Sequence, residues 1–488
     1  MRYRLLVTTL AFTPAVACSS ASDTGDGIAE GGEADGADDG MNSEDFPLHA
    51  CADVEGACIE VASGDSDDLQ SVVNLLEDDT TVILGKGVYV LDNQVTIRAN
   101  GITFWGQGKG TEGSFDEGTI LDYETQTTQS NGVDVVGDRF TIADLAIVDA
   151  KKDGLRIEDS DQVTIQRVRA TWRAEGSTDN GAYGLYPVKV SRVLMEDSEA
   201  FNSSDAGIYV GQCQHAVIRN NLAMGNVAGI EIENTQFADV YGNYAEDNTG
   251  GLVIFDLPGN PIVGRDVSVH DNTVVNNNRT NFAPQGSTVA AIPPGTGTFA
   301  MASRRVEIFN NTYESNNSFD IAVISGLPIE GDPEKWKLSK TELVGDVTGL
   351  NLLEDDTGEF VYNYRSDNAY VHGNTHTNTG TGAPNTTLDQ ELGVLLQIVY
   401  GAEPIDAVLY DTWSESSFDA NDPALNSNDN HICIGDTAAD GATFASLNME
   451  VLIPNGGVVA DLFRPAEPYA PFDCDTFVAG PIQPPVID

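Results

Sequence analysis

Positive charge is what this sequence has least of. Its 488 residues carry 24 Lys and Arg against 76 Asp and Glu, a formal net charge of −52. Such a surface repels nucleic acid and anionic lipid. It also works against a polyuronate unless calcium bridges the two, so calcium is the cofactor the composition leaves open. Only nine of the acids precede residue 50, so the folded part carries most of the charge. Long apolar runs are missing beyond the first residues, and no later stretch has bilayer length. A Cys-x-x-Cys-His motif is absent, which excludes a c-type haem of the chain's own.

What is present at the start is an address. Arg2 and Arg4 precede an apolar stretch from Leu5 to Val16 that is too short to span a bilayer, and Ala15-Val16-Ala17-Cys18 follows. Residues 1–18 therefore read as a lipoprotein signal peptide, with Cys18 as the acylated residue. Ser19 after the cysteine points to outer-membrane delivery, facing the periplasm or the exterior. Residues 19–47, rich in Gly, Ala, Asp, Glu and Ser, read as a disordered acidic tether. The remaining cysteines suit an oxidising compartment. Cys51–Cys58 and Cys433–Cys474 are the expected disulfides, and Cys213 is left as a buried free thiol.

The strongest signal is internal repetition. Gly132, Gly154, Gly184, Gly207, Gly229 and Gly251 each open an alternating strand, at spacings of 22, 30, 23, 22 and 22 residues. The residues one and three after each glycine are apolar, as in Ile208/Val210 and Ile230/Ile232, which places them on one buried face. A second column, Asp197, Asn221, Asn243, Asn272, Asn311 and Asn374, is followed five residues later by Asn202, Asn226, Asn248, Asn277 and Asn316. Asparagine suits a left-handed turn, and its amide can bond the asparagine of the next coil. The pattern predicts an all-β, single-stranded right-handed parallel β-helix over 48–384. Asp67–Glu77 should form an amphipathic capping helix with Ser66 as N-cap, and 385–488 an irregular C-terminal cap.

The columns two and four residues after the glycines should face outward. Stacking would gather Tyr186, Tyr209, Glu231, Glu233 and Asp256 on one wall, flanked by Lys189, Gln212 and Asn234. Tyrosine faces and carboxylates suit a sugar. Glu231 and Glu233, about 6.5 Å apart along a strand, are the candidate acid and base of a glycosidase, with Asp256 beside them. The competing reading is a solvated acidic face. His270 and His372 share a register with Phe309 between them, and His376 follows; these read as isolated surface histidines, and no metal site is expected.

Tyr183-Gly-Leu-Tyr-Pro-Val188, Ser204-Asp-Ala-Gly-Ile-Tyr-Val-Gly-Gln212, Val227-Ala-Gly-Ile-Glu-Ile-Glu-Asn234 and Asn248-Thr-Gly-Gly-Leu-Val-Ile-Phe-Asp-Leu-Pro258 carry a resemblance. The chain resembles the right-handed parallel β-helix superfamily of pectin-lyase-like proteins. More narrowly, it is similar to exported bacterial β-helix repeat lipoproteins of unestablished activity. That resemblance implies an envelope partner, a c-type cytochrome-like protein, and hands over no catalytic residues. The Asp-Pro-His motif of alginate epimerases, the Asn-Thr-Asp of polygalacturonases and the Arg-x-Pro-x-x-Arg of pectate lyases are all missing. The leading expectation is an exported, lipid-anchored β-helix that binds an extracellular polysaccharide or an envelope protein. The alternative is a carbohydrate-active hydrolase, lyase or epimerase using the wall near Glu231.

Overall fold

The computed structural model describes residues 49–488 except 112–116, 383–385, 387–389, 418, 420–424, 448–461, 464–470, 475–476, 478–479 and 488. The chain divides into a unit ending at Asn42, which lies outside the described residues, and a unit from Ser43 to Asp488. The signal-peptide and tether readings, Cys18 included, therefore fall outside what is described.

The second unit is a stack of parallel coils. One coil comprises strands Ala206–Gly211, Gln214–Arg219 and Leu222–Met224; the next repeats them as Ala228–Glu233, Gln236–Tyr241 and Tyr244–Glu246. Register is kept on every face: Ile208 pairs with Ile230, Ala216 with Ala238 and Leu222 with Tyr244. Among the described residues, the sheet built from the first strand of each coil has twelve strands, running from Val95–Ile97 to Leu462–Phe463, the last of them added antiparallel. Alternation sorts its side chains. Ile208, Ile230, Leu252, Ile321, Val408 and Phe444 enter the central core, and the residues beside them point out.

Each turn has a division of labour that the sequence pattern blurs by one residue. The left-handed position belongs to Asp197, Asn220, Gly242, Asp271, Asn310 and Gly373, with φ from 52° to 65°. The next residue turns inward, and this is the ladder. Asn221 Nδ2 donates to Asn243 Oδ1 (3.0 Å), Asn243 to Asn272 (3.0 Å), Asn272 to Asn311 (2.9 Å) and Asn311 to Asn374 (2.9 Å). A second ladder joins Asn226, Asn248, Asn277 and Asn316 at 3.0, 2.9 and 3.2 Å. Asp197 and Asn202 are thus not ladder members; Ser198 and Ser203 stand in those places and donate their N–H groups to Asn221 and Asn226. The serine side chains are too short to continue the chain of amides.

The ends differ from expectation in detail. The capping helix, α1 (Ser66–Asn74), buries Leu69 and Val73, and its N-cap is Asp65 rather than Ser66, accepting from the Asp68 N–H. At the other end, parallel stacking continues past residue 384. Phe319–Ile324 pairs with Val408–Tyr410, which pairs with Phe444–Leu447, and Asp367–His372 pairs with Cys433–Ile434. The repeat is hidden there because the strands are separated by long inserts. Disulfides join Cys51 to Cys58 and Cys433 to Cys474, and Cys213 is a buried free thiol.

The inserts make a second core on the outer side of the first-strand sheet. Val253, Phe255, Phe299, Met301 and Leu409 point away from the axis and pack under Val289, Ile292, Trp336 and helix α2 (Glu391–Tyr400). Trp336 is fully buried; its ring lies where a Cβ on Gly326 would be, so only glycine fits at 326. Beyond it, Lys337–Ser339, Leu353–Glu354 and Phe360–Tyr362 form a small antiparallel sheet of their own.

Candidate functional site

The outer column of the first-strand sheet changes character along the stack. It reads Asp134, Arg156, Tyr186, Tyr209, Glu231, Val253 and Phe299, each paired to the next coil in register. From Val253 onward it is apolar and covered. Before Tyr186 it is charged: Asp134 is buried beneath Arg98 and Arg156, and Arg156 is partly exposed. The predicted wall sits at the boundary, and most of it lies beneath the surface. Tyr209 is 4 % exposed, Glu231 1 %, Glu233 8 %, and Asp256 2 %. This corrects the expectation of a solvated face: the inserts that fade out of the repeat fold back over the outward residues.

Three tyrosines meet at the boundary. Ring centroids are 4.5 Å apart for Tyr183 and Tyr186, 4.7 Å for Tyr183 and Tyr209, and 4.8 Å for Tyr186 and Tyr209. The Tyr209 ring lies against Gly211, where no larger residue would leave room, and its hydroxyl donates to Glu233 Oε2 at 2.8 Å. Tyr183 and Tyr186 are half-buried.

Around these rings stand four carboxyl groups. Asp153 is 1 % exposed and neither of its oxygens has a hydrogen-bond partner among the described residues; Lys152 Nζ is 3.6 Å away. Asp205 Oδ1 and Glu231 Oε1 are likewise buried without partners among the described residues. Burial raises all four acids, because a charged carboxylate loses its water there. It pushes Asp153 up to about 6 against the pull of Lys152. It pushes Asp205 up to about 8, helped by Glu233 and Asp153. Glu231 is held well above the usual range by burial and by Asp205 and Glu233. Glu233 reaches about 7, with Tyr209 pulling it down and Asp256 pushing it up. Near neutral pH Asp205 keeps its proton, Glu233 is poised midway and Asp153 is mainly ionised, so the cluster holds fewer charges than carboxyl groups.

The other predicted residues separate. Asp256 leaves the cluster for a network of its own: Asn363 Nδ2 at 2.9 Å, the Gly264 N–H at 2.9 Å and Arg304 at 3.7 Å, with burial raising it to about 6. Lys189, Gln212 and Asn234 occupy the left-handed turn that ends each first strand, with φ of 54°, 55° and 42°. Asn234 is spent on structure, donating to Ile262 O (2.7 Å) and accepting from Leu257 N (2.9 Å). Lys189 remains about half exposed, with Glu158 at 3.4 Å. Asp153, Asp205 and Tyr183 lie one or two residues before the repeat glycines, outside the alternating columns from which the sequence pattern builds the wall.

The histidines also divide. His270, Phe309 and His372 stack at 4.7 and 5.3 Å on the outside of the second sheet. His376 is not a surface residue. It is buried between Asp320 (2.9 Å) and Asp436 (3.2 Å). Among the described residues no group of three His, Cys, Asp or Glu side chains is arranged to hold a metal ion.

Coils in parallel register around a hydrophobic axis, with asparagine ladders at the turns, define a parallel β-helix. The chain belongs to the right-handed β-helix family: it matches the family described as right handed beta helix region over residues 53–264 and 177–331, together more than half of its length. No curated protein matches it. Among solved structures it is similar to the A-module of a mannuronan C-5 epimerase from Azotobacter vinelandii, at 15 % identity and a TM-score of 0.39, covering 72 % of this chain and 90 % of that one. It is also similar to a DFA-IIIase from Arthrobacter chlorophenolicus, at 11 % identity and a TM-score of 0.42, covering 80 % and 98 %. An alginate lyase from Paenibacillus matches at 15 % identity and a TM-score of 0.32, covering 68 % and 99 %. These likenesses are of fold.

Proposed function

We propose that this chain is an exported, lipid-anchored glycan-binding protein of the cell envelope, with its ligand on the open half of the outer first-strand face, against the tyrosine cluster. The observation that carries the reading is the boundary itself. Tyr183 and Tyr186 stand where the apolar cover stops, and Arg156, Glu158 and Lys189 beside them offer charged hydrogen-bonding groups still reached by solvent. An aromatic platform edged by such groups is what a pyranose ring with its hydroxyls requires. The export and anchoring part rests on Ala15-Val16-Ala17-Cys18, and a cytochrome-like envelope partner rests on the family resemblance alone.

Screening the mature protein against a glycan panel tests the proposal. Binding should appear, and Tyr186→Ala should weaken it at least tenfold. A panel without any retained glycan, or a Tyr186→Ala variant that binds like the parent, would overturn it. The enzyme reading draws on one observation, a Glu233 carboxyl near 7 in contact with the Tyr209 hydroxyl. It predicts depolymerisation, with or without calcium, that Glu231→Gln abolishes. The burial of Glu231 and Glu233 places binding ahead of turnover.

A further inference from the structure

The geometry points to a cationic amino sugar as the ligand of this site: a glucosamine-type residue whose ammonium pairs with the unpartnered oxygens of Asp205 and Glu231, beside Asp153, while its ring lies on Tyr183 and Tyr186. This inference rests on the glycan-binding reading and narrows it.

Two sets of observations lead there. The first concerns the positive side chains. Those that project from this face are already engaged: Arg98 with Asp134 at 2.7 Å, Arg156 with Asp134 at 2.7 Å and Glu158 at 3.2 Å, and Lys189 with Glu158 at 3.4 Å. A polyuronate would have to displace a protein carboxylate for each contact, against the field of a chain at −52. The second concerns the negative ones. Asp205 Oδ1 and Glu231 Oε1 are buried with no donor among the described residues, and the buried Asp153 beside them has only Lys152, at 3.6 Å. Buried polar atoms are nearly always satisfied, so a group of unsatisfied ones marks a place where something else supplies the donors. An ammonium brings three donors and the missing charge, and its hydrogen bonds to carboxylates are about twice as strong as neutral ones. The margin of the site is Asp205, 9 % exposed, with the half-buried Tyr183 and Tyr186. Tyr183 feels Asp205 and Glu231 most strongly after its own burial, and Tyr186 feels Asp153, which ties the rings to the same carboxyls.

Proton linkage follows. Burial pushes Asp205 up to about 8 and Glu233 to about 7, so both hold their protons at pH 5.5. An incoming ammonium favours their ionised forms, so binding of a fully charged amine at pH 5.5 releases protons.

Titration calorimetry on the mature protein at pH 5.5, where the amines are charged, with the hexamer of β-1,4-glucosamine, its fully N-acetylated form and an oligogalacturonate, decides the matter. Running it in two buffers of different ionisation heat counts the protons. The glucosamine hexamer should bind at least tenfold more tightly than the other two and should release protons. Glu231→Gln and Asp205→Asn, whose amides imitate the protonated acids and keep the fold, should each cost at least tenfold. General attraction of a cation to an acidic protein would survive these variants, since each removes one charge in more than fifty. Unchanged binding in both therefore overturns the inference. So does equal or tighter binding of the acetylated or uronate oligomer, which leaves the broader glycan reading standing. If none of the three binds and the glycan panel is also blank, both fall.

Discussion

Two stacks of buried polar side chains run along this molecule, and they are opposites. The asparagine ladders lie at the inner turns, and every amide in them has a partner. The carboxyl cluster lies on the outer face, and several of its oxygens have none. The ladders also end well. Each ladder has a direction, with amide donors pointing toward the C-terminal coils, so its last asparagine needs an acceptor. Asn374 donates to Asp436 Oδ2 (2.9 Å) and Asn316 to Asp320 Oδ1 (3.0 Å). His376 lies between these two carboxylates and is bonded to both. One imidazolium thus closes both ladders. Satisfied polar burial specifies the coil register; the unsatisfied carboxyls on the outer face are what the proposed ligand would satisfy.

The ladder end should be the more fragile side of this comparison. Burial works against a charge on His376, but the hydrogen bonds it donates to Asp320 and Asp436 outweigh it and push the imidazole up to about 9. His376→Leu leaves two buried carboxylates without their cation and should cost roughly 3–5 kcal/mol. The sign with pH follows from a folded value above the unfolded one. The contribution is complete below about pH 6.5, the unperturbed histidine value, and is lost as pH rises through 9. Thermal melts from pH 6 to 10 should show the midpoint falling in that window for the parent, and falling less in His376→Leu, where only the carboxyl cluster still contributes. A parent whose midpoint holds flat across the window contradicts an imidazolium at this position.

In mid-ladder the cost should be smaller and independent of pH. Asn243→Ala strips the acceptor from the Asn221 N–H and Nδ2 and removes the bond to Ile218 O. Leaving two or three buried groups unpaired costs about 3 kcal/mol. The melting midpoint should drop equally at pH 6 and pH 9. A drop confined to one pH would show that the ladder, too, is linked to protons.

Much of this was legible in the chain. The glycine-headed repeats gave the coil length, and alternation separated Ile230 and Ile232 from Glu231 and Glu233. The ladder asparagines were visible as a column from Asn221 to Asn374. Two kinds of information were not. The choice between adjacent turn residues, Asp197 or Ser198, depends on which one takes positive φ, and both residue types tolerate that turn. The burial of the outward column depends on where non-repeating inserts fold back, and no local periodicity encodes that. The same inserts hid the coils beyond residue 384. Asp153 and Asp205 escaped because their importance comes from what they lack, and a missing partner is a property of three-dimensional packing.

The cluster should respond oppositely to the ladders when a polar group is neutralised. Glu231 has a folded value well above its unfolded one, so the folded state holds a proton that the unfolded state releases. Stability therefore falls as pH rises from about 4.5, the unfolded range, toward the folded value. Glu231→Gln cannot ionise, keeps nearly the same shape, and should gain stability relative to the parent by roughly 1 kcal/mol at pH 8, with the gain vanishing below pH 4.5. Denaturant midpoints at pH 4 and pH 8 measure it. The same substitution is expected to impair ligand binding, a trade of function for stability that ladder substitutions do not offer. A Glu231→Gln variant less stable than the parent at pH 8 would mean that the carboxylate is charged and paired where it lies, and the two stacks would then be of one kind.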